Sequence, residues 1–211
     1  MIKENRIFPV IFWGALWGIA EATLGLFFHA IKPLGPWISG AVMFPIGFYF
    51  MHLAFTKTGK IHSMFGVAVI ASAIKLVNLV VPGLSPVSTI NPTIAIMLEG
   101  ASVALVYRFV DMKKPAFVTI PVLVMSLGWR VLFVGYLAVV ASNTGLLSVG
   151  TWSIAKFLVV DMILNSLLIS AYLIVSSRKA ELGGSNIRIQ PAVSILTLVL
   201  AVIIQFGVKL I

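Results

Sequence analysis

Six ionisable residues of the 211-residue chain lie inside long apolar runs: Glu21, Lys75, Glu99, Arg130, Lys156 and Asp161. Three are cationic and three anionic, so as a set they can neutralise one another. A charge at the centre of a bilayer costs from about 2.5 to over 10 kcal/mol, depending on how it is measured. Such groups must face a bundle interior, a watery cavity or each other. The chemistry they offer is recognition. Carboxylates hold amines or hydroxyls, and Lys75 or Arg130 holds a carboxylate or phosphate.

Neutral hydrogen-bonding groups share their helical stripes. Ser72, Lys75 and Asn78 follow at i, i+3, i+6, and Asn91, Ala95, Glu99 and Ser102 run along one face. Ser126 is one turn before Arg130, and Asp161 and Asn165 are at i, i+4. Trp17 precedes Glu21 by one turn, Trp129 adjoins Arg130, and Trp152 and Phe157 flank Lys156. Aromatic walls with a few placed polar groups are what a small-molecule site requires. On the competing reading, the charges only pin helices together and the tryptophans form an interfacial belt. Trp37 and Trp152, at segment ends, suit that belt, and Glu99 with Arg130 is the pair it expects.

Other chemistries find no support. The chain has no cysteine, which removes disulfides, iron–sulfur clusters and thiol nucleophiles. His29, His52 and His62 fall on different sides and cannot form one metal site. No zinc-protease, nucleophile-elbow, Walker or dinucleotide fingerprint is present, and no nucleophile–base pair. The reading is of a protein that is not an enzyme and uses no cofactor or metal.

The elements that must position these side chains are membrane helices. Hydrophobic residues make up 60% of the chain and charged residues 10%, against about a quarter in soluble domains. A mean hydropathy of +1.11 agrees and excludes a soluble globule. Seven segments are long enough to cross about 30 Å of hydrocarbon. They lie near Phe8–Phe28, Trp37–Phe55, Ser63–Val81, Asn91–Tyr107, Phe117–Ala141, Trp152–Ser176 and Ala192–Val208. In lipid the backbone must satisfy itself, so each reads as a helix. The first is too long for a signal-peptide core, lacks a cleavage site and reads as retained. The expectation is an all-α polytopic membrane bundle forming one domain over 1–211. Core helices span 8–176, with an additional C-terminal helix at 192–208.

Cations set the orientation. Lys3, Arg6, Lys57, Lys60, Arg108, Lys113, Lys114, Arg178, Lys179 and Arg188 fall on one side, and Lys32 and Lys209 on the other. The N-terminus is therefore inside, in a multi-pass cell-membrane protein. The net charge of +9 is mostly this topology signal, with anionic lipid as its partner. Nucleic acid is not expected, because the cations are scattered over short loops. On this orientation the six embedded charges lie from the midplane outward, under outer connections at His29–Pro36 and Pro82–Ile90. Pro92 is placed in the first turn of the fourth helix, and the cytoplasmic halves read as nearly pure hydrocarbon. The pattern suggests a pocket open outward and closed below. The spans show no convincing internal repeat.

The first helix also carries Gly14, Gly18, Ala22 and Gly25 at i, i+4, i+8, i+11, with Ala15 and Ile19 alongside. Small residues at this spacing let membrane helices approach closely, within one bundle or between subunits. The small basic bundle, the run Ala15-Leu16-Trp17-Gly18-Ile19-Ala20 continuing to Ala22, and the polar groups beneath outer loops resemble the substrate-binding S-components of energy-coupling factor (ECF) transporters. That resemblance implies capture of a vitamin-like micronutrient from outside. It also implies a membrane scaffold subunit docked on Gly14, Ala15, Gly18 and Ala22, and two cytoplasmic ATPases. The family has six helices, so the segment 192–208 is additional. The expected substrate contacts are Glu21, Lys75, Asn78, Asn91, Glu99, Arg130, Lys156, Asp161, Asn165, Trp17 and Trp129. The alternatives are a stand-alone secondary carrier, a membrane-embedded enzyme using Glu21, Glu99 or Asp161, and an assembly protein whose charges lock the bundle.

Overall fold

A computed structural model describes residues 6–31, 35–112, 118–140, 145–181 and 189–208. These form seven helices, with no strand among the described residues. They are α1 (Ile7–Ala30), α2 (Gly35–Thr58), α3 (His62–Leu76, extended by a 3-10 turn Val77–Val80), α4 (Pro86–Phe109) and α5 (Thr119–Val140). The continuous helix α6 comprises Thr151–Ala155, a π turn Lys156–Val160 and Asp161–Glu181, and α7 is Pro191–Gly207. Six of them are long and apolar enough to cross a membrane, and α7 is shorter at 17 residues. At about 1.5 Å per residue α7 is about 25 Å long, a little less than the hydrocarbon core. The chain is an all-α polytopic membrane helix bundle.

The apolar runs of the sequence become these helices, with one boundary moved. α4 begins at Pro86, not near Asn91, because Pro86 is a natural first residue of a helix whose N–H would be unpaired anyway. The connection read as Pro82–Ile90 is correspondingly shorter. Pro92 lies in the helix interior, where its missing N–H removes a ladder bond to Ser88. The connection read as His29–Pro36 is also shorter, since α1 runs to Ala30 and α2 starts at Gly35, with 32–34 outside the described residues; of Arg178–Gln190, residues 182–188 lie outside them.

Small residues bring the helices together. A Cβ on Gly14 or Gly18 would collide with Ile70 or Ile74, so α1 lies tight against α3. Gly47 of α2 receives the Trp17 ring, and Gly100 of α4 receives Ala68 of α3. The main core includes Trp17, Phe44, Phe48, Met51, Val67, Met125 and Trp129, buried among α1 to α5 and closed by Ile169 and Leu173 of α6. Helix α7 packs on α1 and α3 through a second cluster of Ala15, Ile74 and Ala201. Its inward stripe is Ser194, Ala201 and Gln205, and the rest of its surface is mostly exposed and apolar, as a lipid-facing helix requires.

Candidate functional site

The centre of the polar network begins with a proline. Pro45 interrupts α2 and has no N–H, so the carbonyl four residues back, Ala41, loses its ladder partner. Asn165 of α6 supplies the replacement: its Nδ2 donates to the Ala41 carbonyl and, at 3.4 Å, to that of Gly40. Asn165 Oδ1 in turn accepts from Arg130 Nη2, which also donates to the Gly40 carbonyl at 3.3 Å. Arg130 Nη1 donates to the Ser126 carbonyl and hydroxyl at 2.7 and 2.9 Å. The Ser126 hydroxyl donates onward to the Met162 carbonyl at 3.4 Å. Arg130 and Asn165 are both 0% exposed, and the guanidinium carbon lies 4.5 Å from the Trp129 ring centre and 5.2 Å from that of Phe157. A planar fork met by carbonyls and aromatic faces suits arginine and would not suit lysine. These bonds tie α2, α5 and α6 into one unit.

The expected Glu99–Arg130 ion pair does not form. The amino groups of Arg130 are taken by the Ser126 carbonyl and hydroxyl, the Gly40 carbonyl and Asn165 Oδ1.

A second anchor comes from the π turn. In a regular α-helix residues five apart point about 140° away from each other. The π turn, closed by the Asp161 N–H on the Lys156 carbonyl, stacks the two instead. Lys156 Nζ then meets Asp161 Oδ1 at 2.7 Å, a charge-assisted bond between side chains only 10% and 3% exposed. The Asp161 carboxylate sits against Gly40, where any Cβ would collide with it. Single π turns inside helices commonly accompany functional positions.

The remaining charges are less completely paired. Lys75 Nζ is 3.9 Å from Glu21 Oε2, beyond hydrogen-bond range, with both side chains about a tenth exposed. Glu99 is 5% exposed, and its Oε2 has no hydrogen-bond partner. It interacts electrostatically with Glu21 and with Arg130, and Arg130 does so with Asp161. The six charges thus form one string from α3 to α6: Lys75, Glu21, Glu99, Arg130, Asp161, Lys156. Two other buried polar atoms along it are also without partners, Trp129 Nε1 and Arg130 Nε, while the Trp17 indole lies against the Glu21 carboxylate. An unpaired buried polar group costs about 1–3 kcal/mol, so three such atoms in one region mark a place suited to further polar contacts.

The other expected contact residues lie apart from this string. Asn78 is 2% exposed and accepts from Gln205 Nε2 of α7 at 2.8 Å, so it holds α7. Asn91 accepts from the Tyr136 hydroxyl at 3.1 Å, joining α4 to α5. Trp152 is 68% exposed, as a belt residue should be, while the side chain of Trp37 lies outside the described residues. All four residues expected to dock a scaffold subunit are buried by the chain itself. Gly14 and Gly18 face α3, Ala15 sits in the cluster with α7, and Ala22 is 3% exposed.

Sequence reasoning missed a polar element in the other half of the bundle. His52 Nδ1 pairs with the Tyr107 hydroxyl at 2.9 Å, inside an aromatic cluster with Phe48, Phe55 and Tyr172. Ser166 and Ser170 are also buried, with unpartnered hydroxyls. That half is therefore not pure hydrocarbon. The available signal was the stripe Asp161, Asn165, Ser166, Ser170 running down one side of α6. Among the described residues no group of three or more His, Asp or Glu could hold a metal ion. The chain matches no protein-family model, no curated protein and no solved structure.

Proposed function

We propose that this membrane bundle is a substrate-binding subunit that captures a small polar solute from the outer face of the cell membrane, with partner subunits powering uptake. The observation that carries this reading is the unpartnered Oε2 of the buried Glu99 beside Glu21 and the bare indole N–H group of Trp129. Two neighbouring carboxylates and indole walls favour a solute bearing an amine, which both acids attract and whose charge the aromatic faces also stabilise. Lys75, only loosely held by Glu21, is free to receive a carboxylate or phosphate on the same solute. The contact set narrows to Glu21, Lys75, Glu99, Trp17 and Trp129. Arg130, Asn165, Lys156 and Asp161 act as the frame that holds them.

On the ECF S-component reading, a scaffold subunit must engage α1 where the chain leaves it open. That is its far end near Gly25, which a Cβ would find uncrowded, or the face now under α7 once α7 moves aside. The assembly-protein reading draws on the saturated bonding of the Arg130 amino groups, which need no ligand.

Gentle purification followed by mass spectrometry of the extracted small molecules tests the proposal. A stoichiometric amine-containing solute, lost in Glu99→Gln while the bundle stays folded, is the expected result. Retention of the solute in Glu99→Gln, or a folded protein that carries no solute and binds none from an amine-containing metabolite mixture, refutes it.

A further inference from the structure

A cavity of about 470 Å³ opens between the starts of α1 and α3 and the end of α2, at the end of the bundle remote from the charge string. That volume is in the range of small-ligand pockets. Its two parts have opposite character. Arg6, Lys60 and His62 stand at the mouth and are exposed, while Val10, Ile11 and Val69 form apolar walls behind them. No acidic residue lines it among the described residues. The helices α1 and α3 both begin here, with no acidic residue in either first turn and no side-chain cap on either N-terminus. Each therefore adds the positive end of its dipole to the same mouth. The wall residue Val69 is 39% exposed, so the apolar wall reaches the outer surface of the bundle.

We propose that this cavity binds one anionic phospholipid of the leaflet on the cationic side, with an acyl chain along the apolar walls and the phosphate between Arg6 and Lys60. Charge complementarity selects this occupant. A zwitterionic lipid brings a cationic headgroup into a mouth that already holds two cations and two helix N-termini. A soluble anion leaves the apolar walls empty.

The test uses the full chain in mixed micelles containing equal mole fractions of dioleoylphosphatidylglycerol and dioleoylphosphatidylcholine, with bound lipid counted by native mass spectrometry. One phosphatidylglycerol per chain is expected. Two cations, each worth roughly fivefold for anionic lipid, give a preference of about twenty-five-fold. Arg6→Gln with Lys60→Gln should bring the two lipids to near equality. Val69→Trp, which fills the space from its exposed wall, should release the lipid although both cations remain. Equal retention of the two lipids by the unaltered chain overturns the proposal without any variant. So does undiminished selectivity in the folded double variant, lipid retention in folded Val69→Trp, or a co-purifying polypeptide that occupies the cavity in place of lipid.

Discussion

Replacing Asn165 by alanine tests whether the carbonyl freed by Pro45 and the Arg130 fork are one device. The substitution removes the acceptor for Arg130 Nη2 and the donor for the Ala41 carbonyl together. A hydrogen bond to a charged group is worth about 1.5–3 kcal/mol, and a buried carbonyl left unpaired costs about 1–3 kcal/mol. Polar contacts between membrane helices fall toward the lower ends, averaging about 0.6 kcal/mol with a maximum near 1.7. Arg130 Nη2 also keeps the Gly40 carbonyl. The net expectation is a loss of about 2 kcal/mol. Pro45→Ala restores an N–H opposite Ala41, so in that background the carbonyl no longer needs Asn165. The cost of Asn165→Ala should then fall by about 1 kcal/mol, which a double-mutant cycle measures directly. Reversible unfolding in mixed micelles of rising dodecyl sulfate fraction, followed by tryptophan fluorescence, supplies the four stabilities. A coupling indistinguishable from zero, or a single-variant cost below about 0.5 kcal/mol, would show that Asn165 does not serve the carbonyl that Pro45 frees.

Other outcomes follow from the same contacts. Lys156→Met should destabilise the bundle by about 3–5 kcal/mol, because it strands Asp161 at 2% exposure, and adding Asp161→Asn should recover much of that loss in the same titration. Gly40→Ala should cost about 1–3 kcal/mol, since its Cβ would meet the Asp161 carboxylate; unchanged stability would mean that α2 and α6 are further apart than described. Gln205→Leu removes the bond to Asn78 and should make α7 cleavable by protease while α1–α6 stay protected; equal protection of α7 would show that the apolar cluster alone holds it.

The bundle was legible because membrane helices follow a simple rule: about twenty apolar residues in a row must satisfy their own backbone. The start of α4 was misplaced because Pro86 and Pro92 both punctuate the sequence, and only packing decides which opens the helix. The six charges could be found by position but not paired by it. Glu99 and Arg130 lie at similar depth, yet Arg130 is taken instead by the Gly40 carbonyl, ninety residues away in sequence, and by Asn165, which the carbonyl freed at Pro45 holds in place. Lys156 and Asp161 are five apart, a spacing that a regular helix would keep from meeting, and a π turn carries no reliable sequence mark. The small residues of α1 correctly announced a close helix contact. Spacing alone could not tell that the contact lies inside the chain, against Ile70, Ile74 and Ala201.

The bond between Asn165 and Ala41 also has a consequence in time. The two residues are 124 positions apart, and a ribosome adding roughly 5–20 residues per second separates their synthesis by about 6 to 25 seconds. Throughout that interval α2 carries a backbone carbonyl with no partner in its own helix. Arg130 arrives first but leaves Ala41 unserved. The early helices therefore have reason to stay beside the insertion machinery, where water or a chaperone can reach that carbonyl, until α6 is made. Biogenesis of this bundle becomes a retention problem solved by its sixth helix, and a nascent chain stalled before Asn165 should remain extractable where one stalled after Ser177 does not.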